Sequence, residues 1–96
     1  MKKYEIMFIV RPDIEEADIK KTAEDMVKVL EKDGAQNVTL KDMGQKELAY
    51  EVKKYKTGYY YLINLESNDC KATKEFDRLA LISDNIIRHL IIKADE

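Results

Sequence analysis

The chain has one cysteine, one proline, three glycines and no tryptophan among its 96 residues. A lone cysteine, Cys70, cannot close an internal disulfide. That excludes a stapled secreted scaffold and fits a reducing cytoplasm. So little glycine and proline excludes collagenous and low-complexity character. Long apolar runs are missing too: Ile6–Val10 is typical of what there is, so no segment is expected to span a membrane. Glu5 arrives before the apolar core of a secretory leader could form. The single histidine, His89, and Cys70 have no neighbours of metal-ligand type at usable spacing, so neither a metal nor any other cofactor is expected. There is no Ser/His or Cys/His pairing and no carboxylate couple in a discernible cleft, so the sequence offers no catalytic constellation.

What remains is 45% hydrophobic and 38% charged, enough for one core. At this length a single domain over residues 1–96 is expected, burying about 60–65% of its unfolded surface. Neither sign of charge dominates: 17 basic against 19 acidic residues give −2. The distribution says more. Residues 13–33 hold eight acids and four lysines, whereas Lys53-Lys54-Tyr55-Lys56 and Lys2-Lys3 are basic clusters. An acidic face with basic tips can still bind RNA through the tips.

Residues 4–10 alternate as a strand, with Tyr4, Ile6, Phe8 and Val10 on one face and Glu5, Met7 and Ile9 on the other. Pro12 ends it, lacking a ladder donor. Asp13 with Glu16 three residues on resembles a capping box, which starts a helix nearby. Ile19, Ala23, Met26, Val27 and Leu30 then recur at helical spacing until Gly34 stops the helix. Residues 36–52 read as a long second strand, in which Val38 and Leu40 share parity with Leu48, Tyr50 and Val52, and Gly44 marks a bulge or bend. Lys53–Thr57 reads as a five-residue hairpin loop, with Gly58 opening a third strand in which Tyr59, Tyr61, Ile63 and Leu65 share one face. Ser67-Asn68-Asp69 caps a second helix with Ala72, Phe76, Leu79 and Ala80 as its stripe. Cys70 then falls at an inert first-turn position. After a Ser83–Asn85 loop, the β-branched run 86–93 forms the last strand.

The order βαβ then βαβ predicts an α+β fold: a ferredoxin-like βαββαβ sandwich, with a four-stranded antiparallel-type sheet and two helices on one face. Right-handed crossovers put the third strand between the first and second, and the fourth beside the first. The inner face is expected to hold Tyr4, Ile6, Phe8, Tyr61, Ile63 and Leu65. The other face should stay open, showing Met7, Ile9, Tyr60 and Leu62. Alternation does not settle which face of the last strand is inner.

Several segments in this order resemble one family. They are Tyr4-Glu5, Pro12, Gly34, the run Gly44-Gln45-Lys46-Glu47-Leu48-Ala49-Tyr50, Gly58-Tyr59, and the closing run Asp84–Lys93. Together they are similar to bacterial small-subunit (30S) ribosomal protein six, over essentially the whole chain. Met43, Lys46 and Glu51 stand where that family more often has Trp, Arg and Pro. Lys46 keeps a charge but not a bidentate fork. The resemblance implies a cytoplasmic ribosome component. It would bind small-subunit ribosomal RNA in the platform region together with small-subunit ribosomal protein eighteen, with no catalysis and no cofactor.

The expected RNA-binding residues are Lys2, Lys3, Arg11, Lys53, Lys54, Lys56, Arg88 and Lys93. The expected partner surface is Met7, Ile9, Tyr60 and Leu62 on the uncovered face, or the second-strand edge around Leu48 and Tyr50. An alternative is an RNA-recognition-motif-like module binding single-stranded RNA, since Tyr59-Tyr60-Tyr61 follow Lys56-Thr57-Gly58. That alternative lacks the first-strand aromatic, because Met7 and Ile9 take its place. An acylphosphatase-like anion loop after the first strand is opposed by Pro12 and Asp13.

Overall fold

The computed structural model describes residues 2–68 and 71–93. Expectations placed on Asp69 and Cys70 lie outside them. The elements run β1 (Lys2–Val10), α1 (Glu16–Lys32), β2 (Gln36–Val52), β3 (Tyr55–Ser67), α2 (Lys71–Ile82) and β4 (Ile86–Lys93). The sheet order is β2-β3-β1-β4, with every neighbouring pair antiparallel. This is the expected ferredoxin-like arrangement.

Alternation on β1 and β3 fixes the helix side. Ile6 faces Ile63 and Ile91, and Phe8 faces Tyr61 and His89. Phe8 is fully buried, stacked on Tyr61 at 5.5 Å and edge-on to Phe76 at 5.7 Å. α1 contributes Ile19, Ala23, Met26 and Leu30, and α2 contributes Ala72, Phe76 and Ala80. On β4 the inner residues are Ile86 and Ile91, so Arg88, Leu90 and Ile92 point to the other face.

Gly34 ends α1 as expected. At φ +95° its N–H donates to the Glu31 carbonyl, and the Ala35 N–H reaches back to Leu30. That reciprocal pair of bonds is a Schellman stop. The helix start differs from expectation. Glu15 holds the cap position with no side-chain hydrogen bond, and the Asp13–Glu16 capping box does not form. The Asp13 carboxylate instead takes two hydrogen bonds from the Arg11 guanidinium, at 2.6 and 2.9 Å. A bidentate charge-assisted pair outcompetes a single backbone N–H for that carboxylate.

The hairpin also differs. Val52 pairs with Tyr55, leaving a turn of only Lys53 and Lys54 rather than a five-residue loop. Both turn residues have positive φ, 48° and 72°. That is the geometry whose twist matches the flanking strands. Gly44, at φ +80°, does form the expected bulge, with its N–H donating to Asp42 Oδ1 at 2.8 Å. One consequence of the bulge runs against simple parity. Asp42 faces Tyr61, yet Gly44 faces Tyr60, so the two stretches of β2 present opposite faces. Val38 packs on the helix-side core, whereas Leu48, Tyr50 and Val52 turn to the other side.

The face without helices is therefore not open along its length. Ile9 is only 4% exposed there. The far half of the β2–β3 ribbon coils over β1, and Tyr50 crosses to Arg88 on β4. A bulge strengthens local twist, and a long two-stranded ribbon twists most freely, which is what carries it across.

Candidate RNA and partner interface

The expected RNA-binding residues fall into two groups. Lys2, Lys3 and Lys93 gather at one end of the sheet, where Tyr4 pairs with Lys93 and Lys3 with Glu66. Arg11, Lys53, Lys54, Lys56 and Arg88 lie towards the other end; Val10, where β1 stops, is roughly 23 Å from Lys3 at strand rise. The lysines at the hairpin tip are all exposed, and no acidic residue lies between Val52 and Lys56. α1 carries both signs, with Glu16, Asp18, Glu24, Asp25 and Glu31 interleaved with Lys20, Lys21, Lys28 and Lys32.

Arg11 is placed differently from the lysines. Asp13 holds its guanidinium, and that guanidinium lies 5.5 Å from the Tyr55 ring centre. The Tyr55 hydroxyl donates to Asp13 at 3.2 Å. Tyr55 is thus engaged within the chain rather than splayed for a base. The Arg11 hydrogen bonds hold the Asp13 carboxyl down to about 2 and push the Arg11 guanidinium up. A carboxyl lowered in the folded state stabilises it above the ordinary value near 4, and that contribution is lost as pH falls through about 2. A carbon-detected NMR titration is expected to find Asp13 at about 2 in the native chain and near 4 in Arg11→Gln. Equal midpoints in the two proteins would show that the pair does not hold in solution.

The expected partner residues are brought together, with one exception. Met7, Ile9, Leu48, Tyr50 and Tyr60 line one recess, joined by Ala49, Val52, Arg88 and Leu90. Leu62 is half-buried but lies outside it. The three tyrosines after Gly58 divide: Tyr61 is core, Tyr59 packs beside the core, and Tyr60 joins the recess. Lys46 stands 5.8 Å over the Tyr60 ring. Sequence reasoning missed Val52 and Leu90 as lining residues. Val52 had the parity signal of Leu48 and Tyr50, but the inner side of β4 could not be read from an apolar run. His89 is not idle: its ring lies 2.7 Å from Asp77 of α2 and edge-on to Phe76, tying β4 to the helix. Among the described residues no group of three or more His, Cys, Asp or Glu could hold a metal ion. No helix there is long and apolar enough to cross a membrane.

The architecture and its basic strand ends define a ferredoxin-like sandwich with no catalytic cluster among the described residues. The family model for ribosomal protein S6 matches residues 3–93, so the chain belongs to the ribosomal protein S6 family. Among solved structures it is similar to the 30S ribosomal protein S6 of Thermotoga maritima. The TM-score is 0.90 at 26% identity, over 96% of this chain and 86% of that one. It is also similar to a protein of Arabidopsis thaliana, with a TM-score of 0.63 at 9% identity, covering 100% of this chain and 95% of that one; this likeness concerns the fold alone. Family membership makes the chain a structural component of the small ribosomal subunit in the cytoplasm, taking part in translation, and not an enzyme.

Proposed function

We propose that the chain binds small-subunit ribosomal RNA in the platform region, together with small-subunit ribosomal protein eighteen. The supporting observation is the hairpin tip, where Lys53, Lys54 and Lys56 are exposed, although Glu47 and Glu51 line a hollow with Lys56. Two lysines at positive φ cost more conformational energy than an Asn-Gly turn would. Lys2, Lys3 and Lys93 extend the basic surface at the far end, whereas Arg88 lines the recess.

Changing Lys53, Lys54 and Lys56 to Ala is expected to weaken assembly onto ribosomal RNA. It should also flatten the salt dependence by about 0.7–0.9 of a log unit for each phosphate that is no longer neutralised. A filter-binding titration with an unchanged salt slope would remove the tip from the interface. The acidic segment 13–33 and net charge of −2 favour weak binding by the chain alone, with the partner supplying cooperation.

The partner surface is the recess face. Tyr60→Asp is expected to leave the melting temperature nearly unchanged and to weaken association with protein eighteen by about 2 kcal/mol, as for a central anchor. Calorimetric titration beside a thermal melt reads both. Undiminished association with a normal melt would place the partner on the β2 edge instead.

A further inference from the structure

The recess beneath the coiled ribbon has a composition that selects its occupant. Met7, Ile9 and Tyr60 form its floor, Leu48 and Val52 one wall, and Leu90 the other. It encloses about 200 Å³, less than a drug-sized site but room for one bulky side chain. Two cations flank it. Arg88 donates from Nη1 to the Tyr50 hydroxyl and stacks 5.4 Å from that ring, and Lys46 stands over Tyr60. Neither is paired with a carboxylate among the described residues, in contrast to Arg11, and no acid lines the recess. The nearest acid on this face of β1, Glu5, is one alternation beyond Met7, roughly 7 Å along the strand. Tyr50 occupies only one of the five guanidinium donors of Arg88. An apolar hollow beneath two uncompensated cations is complementary to an apolar group with a negative charge beside it. A basic segment would be repelled.

We infer that the recess receives one bulky apolar side chain of a partner-protein segment, with an adjacent carboxylate pairing to Arg88. The inference rests on the recess face being the partner surface, and adds the chemistry of what enters it.

The test follows the methyl resonances of Met7, Ile9, Leu48 and Leu90 in the full chain. Three probes are used: the blocked dipeptide acetyl-Phe-Asp-amide, its Asn analogue, and uridine 5′-monophosphate. The expected result is saturable shifts with the Asp dipeptide, at a Kd at least about 5-fold lower than for the Asn analogue. Arg88→Gln should abolish that preference. Tyr50→Phe, which keeps the charge and the ring, should retain it. No saturable shift, equal binding of Asp and Asn dipeptides, or tighter binding of the nucleotide would each overturn the inference, the last by making the recess a nucleotide site. The two readings fail separately. If the dipeptide does not bind while Tyr60→Asp still impairs association, the anchor falls and the partner surface stands. If the dipeptide binds and association is untouched, the partner surface moves and the recess keeps its ligand chemistry.

Discussion

Phe8→Ala is expected to lower the free energy of unfolding by about 3–5 kcal/mol. Phe8 is fully buried at the centre of the sheet, between the Tyr61 ring on β3 and the Phe76 ring on α2. Truncation removes the transfer energy of the ring. It also leaves a hollow that backbone pairing on both sides of β1 prevents from collapsing, since Phe8 faces Tyr61 on one strand and His89 on the other. Domains of this size hold only about 5–15 kcal/mol in total, so the variant should sit near the edge of folding. Urea denaturation monitored by tyrosine fluorescence and circular dichroism gives the number. A loss below about 1.5 kcal/mol would show that the two layers can close over the gap, and that the core is less rigid than its stacking geometry indicates.

Gly58→Ala should cost about 2–3 kcal/mol for a steric reason. A methyl group at Gly58 would overlap Ile9 Cγ2 and approach the Val10 carbonyl oxygen to 3.3 Å. Ile9 cannot swing clear, because a β-branched side chain is stiff at its first torsion. Ile87 Cδ1, at 3.6 Å, closes the remaining side. Removing the obstacle supplies the check. In an Ile9→Ala background the same Gly58→Ala change should cost less by about 1 kcal/mol or more, a coupling expected only of residues that touch. Additivity within about 0.5 kcal/mol would detach the two residues. Gly58 thus presses the ribbon against β1 where it begins to coil, and the shape of the recess depends on that close approach.

Much of this molecule is legible in its residues. The strand order, the inner faces of β1 and β3, the Gly34 stop and the Gly44 bulge all follow from local pattern and handedness. The failures share a cause, which is competition from groups distant in sequence or invisible to pattern. Asp13 reads as a cap because Glu16 stands at the right spacing; nothing local shows that Arg11 and Tyr55 claim it. The Lys53-Lys54 turn carries none of the Asn or Gly marks of its type, so pattern alone predicts too long a loop. Parity puts Leu48, Tyr50 and Val52 on one face with Leu40, because parity counts residues and a bulge discards one. The side of β4 is hidden because Ile86, Ile87, Leu90, Ile91 and Ile92 are apolar on both faces. The lysines proposed to meet phosphate are legible only as charge, since exposure and clustering are what they contribute.

The strand order also bears on how the chain reaches its folded state. β1, first in sequence, lies between β3 and β4 in the sheet and pairs with those two alone. Its pairings join Lys2 to Ser67 and Tyr4 to Lys93, so almost the whole chain must be looped before this strand has neighbours on both sides. Closing such loops costs entropy before any pairing returns it, and topologies of this kind fold slowly. A chain shortened before Ile86 would leave β1 with one bare edge carrying Phe8, Ile9 and Val10, a template for pairing with other chains. During synthesis the sheet cannot be completed until β4 has emerged, because β1 has no second neighbour before then.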